Sequence, residues 1–211
     1  MTSADFASLL CSRLCHDLVG PVGALYNGVE LLADEHDPDM RARCLELLSD
    51  SARQTANKLK FFRLAFGAAG GFGDQVDTRE AQAALEGLFG TERRVNVQWM
   101  VSSAAMPKDA VKLLLNLAMI AGDALLRGGE LSVAAEAVPG GTELAVRAEG
   151  PRLLLDPELR AALSGGTDLA HLTPRAAAAQ LVHVLLSEAG SELRISEPGE
   201  GALVFGAMVR A

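Results

Sequence analysis

Sulfur, aromatic rings and positive charge are all scarce in this chain, and each scarcity closes a class of function. The three cysteines, Cys11, Cys15 and Cys44, are an odd set with no paired framework, so no disulfide scaffold is expected. The fragment CSRLCH puts three residues between its cysteines where a haem-attachment motif needs two. Cys11, Cys15 and His16 are also metal-ligand types, but reduced thiols packed on a helix account for them without a metal. Lys and Arg number 19 against 27 Asp and Glu, a net charge of -8 that repels phosphate backbones, so no nucleic acid partner is expected. The longest apolar run, LLLNLAMIAGDALL at 113–126, is interrupted by Asn116 and Asp123, so neither a spanning helix nor a membrane partner is expected. The opening MTSADF lacks the basic and apolar segments of a signal peptide, and the expected location is cytoplasmic.

A hydrophobic fraction of 49% supplies a packed core, and an aromatic fraction of 4% beside abundant Ala and Leu favours helices. The 211 residues hold one large domain or two small ones, and two regimes of pattern divide them. In the first, Cys11, Cys15, Leu18, Val22, Leu25, Val29 and Leu32 alternate spacings of four and three, a heptad seam. Leu45, Leu48, Ala52, Thr55, Leu59, Phe62 and Phe66 repeat it in a second helix, after a charged break at 33–40 in which Pro38 suits a helix start. Residues 1–68 therefore read as an antiparallel helical hairpin whose first arm reaches roughly 40 Å. A lone hairpin covers one side of each apolar stripe, and two hairpins packed as a four-helix bundle cover the rest, so a homodimer is expected.

A glycine-rich linker, GAAGGFGDQ at 67–75, leads into the second regime at 76–211. Strands are predicted at 76–80, 95–101, 130–138, 142–150, 192–198 and 201–210. Helices are predicted at 80–90, from Pro107 to about Arg127, at 156–165 and at 174–190. The fold class is α+β: an N-terminal helical hairpin, then a mixed sheet with helices on one face.

The chemistry centres on LCHDLVGPVGAL at 14–25. With Cys15 at a and Leu18 at d, His16 falls at b, outside the seam and open to solvent. Asp17 is placed to accept a hydrogen bond from one imidazole nitrogen, which fixes the tautomer and leaves the other as a nucleophile. Pro21 removes a backbone N–H near the Asp17 carbonyl and is expected to kink the helix there. His36, His171 and His183 have no nucleophile beside them and read as turn, loop and helix residues.

His16, Asp17, three residues and Pro21 on the first helix resemble the phosphoacceptor helix of two-component histidine kinases. With SARQTANKLKFFRLAFGA at 51–68, the whole chain resembles the alphaproteobacterial histidine phosphotransferase family (ChpT-type). The resemblance implies a dimerising hairpin followed by a degenerate kinase-like ATP-binding domain, with His16 as phosphoacceptor and Asp17 orienting it. Three separate elements depart from a working nucleotide site. Asn116 matches the first of two kinase asparagines, but Ile120 stands where the metal-binding one belongs and offers no oxygen to Mg²⁺. Ala148 replaces an adenine-binding aspartate, and Arg152 a glycine of the same motif. Thr173, Pro174 and Arg175 replace a glycine-rich phosphate loop. No ATP, cofactor or metal is therefore expected on this chain.

A histidine without a kinase reads as a relay, taking a phosphoryl group from the receiver domain of a hybrid kinase and passing it to response regulators. In the resembled family these govern the cell cycle. Mg²⁺ is expected in the partner receiver domain. Gly20, Gly23, Ala24 and Asn27, toward the hairpin tip from His16, form the expected docking face, with residues 41–50 of the second helix as its opposite wall. The alternatives are a dimeric adaptor that binds a partner without phosphotransfer, and an ATP-dependent sensor kinase, against which the missing nucleotide motifs count.

Overall fold

A computed structural model describes residues 2–67, 74–90, 94–165, 172–196 and 201–210. The first arm, α1 (Ser3–Asp34), is longer than expected, roughly 48 Å at about 1.5 Å per residue. A capping box starts it: the Thr2 hydroxyl accepts from the Asp5 N–H (3.2 Å) and the Thr2 N–H donates to Asp5 Oδ2 (2.8 Å). These Thr2 hydrogen bonds hold the Asp5 carboxyl below its usual range, so the box is present above that range and is lost as pH falls. The second arm, α2 (Pro38–Phe66), opens with Pro38 just inside the Asp37 cap, as its sequence suits. Arg41 Nη1 donates to the carbonyls of Leu32 (3.0 Å) and Glu35 (2.6 Å), which closes the turn and sets the register of the two arms.

The heptad seam splits into two rows. Leu18, Leu25, Leu32, Leu48 and Thr55 are half-buried between the arms, whereas Cys15, Val22, Val29, Leu45, Ala52 and Leu59 are exposed. Among the thiols only Cys44 is buried; Cys11 and Cys15 are exposed, which corrects the expectation that they pack within the chain. Cys15 lies in the outward row. Gly28 is the one buried residue of α1, because a Cβ there would meet Leu48 Cδ2 at 2.8 Å. Leu48 of the second arm packs directly on the α1 backbone there.

The base of the hairpin is built into the second layer. Phe61, Phe62, Leu64 and Ala65 of α2 belong to one continuous core with the helices and sheet that follow, and Phe6, Leu9 and Leu14 of α1 pack on it. The elements after the hairpin are β1 (Gln75–Asp77), α3 (Thr78–Phe89), β2 (Val95–Val101), β3 (Ala105–Pro107), α4 (Lys108–Asp123), β4 (Gly129–Val138) and β5 (Gly141–Glu149). They are followed by α5 (Pro157–Leu163), α6 (Ala177–Glu188), β6 (Leu193–Ile195) and β7 (Ala202–Arg210). Five strands form a mixed sheet in the order β2-β4-β5-β7-β6, in which only β2 and β4 run parallel. Leu131, Val133, Leu144, Val146, Leu203 and Phe205 turn one face toward the helices, as alternation on a one-sided sheet requires. The protein is an α+β fold, helical at its N-terminus, with a mixed sheet after it.

The strand expected at 76–80 ends at Asp77, where α3 takes over, and two further details differ from the sequence reading. The helix from Pro107 stops at Asp123 rather than near Arg127, because residues 124–126 are drawn into pairing: Leu126 N–H donates to the Arg152 carbonyl (3.1 Å) and Leu154 N–H to the Ala124 carbonyl (3.0 Å). Residues 105–107 are the strand β3, paired with β1 in a separate two-stranded sheet that buries Val76 and Met106. The linker expected at 67–75 falls mostly outside the described residues. Among the described residues no helix is long and apolar enough to cross a membrane.

A tight contact at the end of α4 generates a stability test. The Phe89 ring leaves no room at Gly122, where an added Cβ would lie 2.1 Å from Cζ of that buried ring. Gly122→Ala is expected to lower unfolding free energy by about 1–3 kcal/mol, as overpacking does, read as a lower urea midpoint with unchanged slope.

Candidate functional site

His16 stands on α1 near the base of the hairpin, with its side chain 83% exposed, as the b position predicts. Its Nδ1 lies 3.0 Å from Oδ1 of Asp17, whose side chain is 19% exposed. A carboxylate only accepts, so the proton sits on Nδ1 and Nε2 keeps its lone pair. No other partner of the ring exists among the described residues.

Asp17 is held from three sides. Arg13, one turn earlier, donates from Nε to Asp17 Oδ2 (2.7 Å), so the carboxylate divides its oxygens between the arginine and the imidazole. The same guanidinium reaches Asp123 Oδ2 at the end of α4 (3.4 Å), which ties this turn of α1 to the second layer. The backbone carbonyl of Asp17 accepts a hydrogen bond from Lys58 Nζ of α2 (2.8 Å). That carbonyl is the one Pro21 leaves without its helical donor. α1 nevertheless continues through Pro21 as a single helix.

Beside His16 opens a cleft of 1180 Å³ between α1 and the second layer. Arg13, Arg94, Arg127 and Arg175 line it against Asp17 and Asp123, so its walls carry positive charge although the chain is acidic. Arg94 adopts a left-handed backbone at φ 52, a strained conformation for a side chain with a Cβ. Arg175 Nη1 lies 3.6 Å from Oδ2 of Asp156. Among the described residues no group of three or more His, Cys, Asp or Glu is placed to hold a metal ion.

The residues expected to form a docking face share α1 with His16. Gly20, Ala24 and Asn27 are exposed and Gly23 is half-buried. A Cβ at Gly20 or Gly23 would meet nothing within 4 Å, so neither glycine serves close packing within this chain. The opposite wall is displaced from the expected 41–50. The crossings of Asp17 with Lys58 and of Gly28 with Leu48 set residues 48–58 against this part of α1, because the tight turn fixes the register.

The positions compared with a nucleotide site point elsewhere. Ile120 and Ala148 lie in the hydrophobic core. Asn116 is fully buried, and its Nδ2 donates to the carbonyls of Ala65 (2.9 Å) and Lys112 (2.8 Å). Its amide thus joins the end of α2 to α4. Thr173, Pro174 and Arg175 reach the cleft wall. His183 is half-buried with its ring over Gly165, and His36 is an exposed turn residue. His171 lies outside the described residues. Sequence reading missed Arg13, Lys58 and Asp123; only Arg13 was within its reach, as an i, i+4 partner of Asp17.

Residues 78–201 match the family model described as histidine phosphotransferase C-terminal domain. The chain is 35% identical over 207 residues to "Protein phosphotransferase ChpT" of Brucella abortus (strain 2308), covering 98% of this chain and 97% of the relative. A solved structure described as a bacterial phosphotransferase superposes with a TM-score of 0.85 at 32% identity, covering 98% of this chain and 97% of that one.

The geometry at His16 fixes a spectroscopic expectation. The neutral ring should carry its proton on Nδ1, and Asp17→Ala should release it to a mixture of tautomers. Long-range ¹⁵N–¹H correlation spectra of ring-labelled protein distinguish the two; an Nε2–H ring in the wild type contradicts the assignment.

Proposed function

The chain belongs to the histidine phosphotransferase family, and from that premise we propose that it relays a phosphoryl group between the aspartates of receiver domains, with His16 as carrier. The observation that carries this reading is the exposed imidazole with Nδ1 engaged by Asp17 and Nε2 free. The Nε2 lone pair attacks the phosphorus of a receiver's aspartyl phosphate, and the bond from phosphorus to the aspartate oxygen breaks with its electron pair returning to that carboxylate. Asp17 offsets the positive charge that builds on the ring while Nδ1 retains its proton. Attack by the aspartate of a second receiver then reverses the step and frees the imidazole. Both transfers depend mainly on positioning and charge neutralisation. Mg²⁺ would be held by the receiver's own acidic pocket, where carboxylate oxygens suit a hard cation.

The donor is the receiver of a hybrid kinase and the acceptors are response regulators. Two features support a receiver as the occupant of this surface. Gly20 and Gly23 leave open space along α1 next to the exposed Ala24 and Asn27, and the arginine-lined cleft beside His16 complements an acidic partner pocket. The chain works without ATP. Support comes from Ile120 and Ala148, whose apolar side chains are committed to the core, and from Asn116, whose amide is spent on the Ala65 and Lys112 carbonyls. Its site of action is the cytoplasm, where such receivers operate.

The active form is a homodimer joined through the hairpins into a four-helix bundle. Val22, Val29, Leu45 and Leu59 are 47%, 60%, 54% and 49% exposed, an apolar row along both arms. Fully burying such a side chain contributes about 1.5–3 kcal/mol. With about half of each already covered, two chains together gain roughly 6–12 kcal/mol, comparable to an association cost of about 4–15 kcal/mol.

Wild-type protein mixed with a hybrid kinase's phosphorylated receiver should acquire label, and His16→Ala should not. Label on both or on neither overturns the relay. Val22→Glu combined with Val29→Glu should shift the mass in light scattering from two chains to one while circular dichroism stays helical; a dimeric double variant contradicts the interface.

A further inference from the structure

Proline in a helix interior removes one donor, so the carbonyl four residues earlier loses its partner. In α1 that carbonyl belongs to Asp17, the residue whose carboxylate fixes the His16 ring. A carbonyl so placed takes water, tilts outward, or finds a donor from another element. Here the donor is an ammonium. Lys58 Nζ reaches it from α2 at 2.8 Å, across the half-buried interior of the hairpin.

We propose that Lys58 is a positioning residue for phosphoryl transfer: its ammonium replaces the hydrogen bond that Pro21 deletes and anchors the Asp17 peptide to α2, which sets where the His16 ring points. The proposal rests on His16 being the phosphoryl carrier. Pro21 and Lys58 then form one device. Pro21 releases the carbonyl from its own helix, and Lys58 transfers the anchorage to the neighbouring arm. The Asp17 side chain is meanwhile held by Arg13, which reaches on to Asp123 of α4. Backbone and side chain of one residue are thus fixed to two different parts of the fold, and the imidazole inherits its orientation from both.

The device predicts a specific coupling between Pro21 and Lys58, which lie on different arms of the hairpin. Lys58→Met keeps length and helix propensity but removes the donor. It should lower the transfer rate at saturating phosphorylated receiver about tenfold, the scale of a small misplacement of a reacting group, with the receiver concentration for half-maximal rate unchanged. Lys58→Arg, which keeps a charged donor, should recover most of the rate. Pro21→Ala returns an N–H to the helix and gives the Asp17 carbonyl a donor of its own. In that background Lys58→Met should change the rate by less than twofold.

The same four proteins are read by ¹⁵N–¹H spectra of the His16 ring, which need no receiver. Lys58→Met should mix the tautomers, and Pro21→Ala with Lys58→Met should restore a single Nδ1–H form. Equal losses from Lys58→Met in both backgrounds, or an unaltered tautomer and rate in Lys58→Met, overturn the proposal. If Lys58→Met does not fold, the double variant, which regains the backbone bond, must fold; its failure also overturns it. An absence of label on wild-type protein defeats the relay instead, while the spectra still decide the role of Lys58.

Discussion

The hairpin is held at one end only, and most of what the molecule presents follows from that. Phe61, Phe62, Leu64 and Ala65 sink the last turns of α2 into the core of the second layer, and the buried Asn116 amide bonds the Ala65 carbonyl. Beyond this anchorage the arms bury only Gly28 and Cys44. Two helices of this length would not hold together on so little covered surface, since helical stability comes mostly from packing an apolar face. The base is therefore anchored, and the outward row of the seam stays exposed along both arms. His16 lies near the rigid end, where α1, α2 and α4 all supply groups that constrain it.

The sequence displayed much of this because heptad spacing is a direct consequence of helix geometry. It placed both arms, the turn at Pro38 and the exposure of His16, and neighbouring position alone put Asp17 within reach of the ring. It did not separate the two rows of the seam, because the inward Leu18 and the outward Val22 obey the same periodicity and differ only in what faces them. It also missed the short strand β3, since three residues are too few for alternation to show, and it carried α4 a turn too far. Propensity favoured helix at 124–126, and tertiary pairing with residues 152–154 prevailed. Lys58 was beyond its reach. The orphaned carbonyl is deducible from Pro21, but its donor depends on the register of an arm 41 residues away.

Charge distribution shows a similar economy of placement. The chain carries a net charge of -8, yet four arginines gather on the walls of the cleft beside His16 with only two aspartates among them. Arg13 is committed to both aspartates and Arg175 lies 3.6 Å from Asp156, so the remaining positive character comes mainly from Arg94 and Arg127, which belong to the second layer. The exposed imidazole thus comes from the hairpin and much of its electrostatic surroundings from the sheet layer. The anchorage through Phe62 and Asn116 keeps the two in register.

Asp17 is where these constraints meet. One oxygen of its carboxylate takes the His16 ring, the other takes Arg13, and its backbone carbonyl takes Lys58. The next turn of α1 holds Gly20, Pro21 and Gly23, and a helix interior with a proline and two glycines is locally weak: each glycine costs about 1 kcal/mol relative to alanine, and proline about 3 kcal/mol. Neither glycine is required by packing inside the chain, because the space around both is open. A helix weakened there would let the imidazole wander if its own peptide were held only by that helix. Fastening Asp17 to α2 and, through Arg13, to α4 separates the orientation of the ring from the softness of the turn beside it. The surface next to His16 can then stay open while the free Nε2 of the ring remains where the fold puts it.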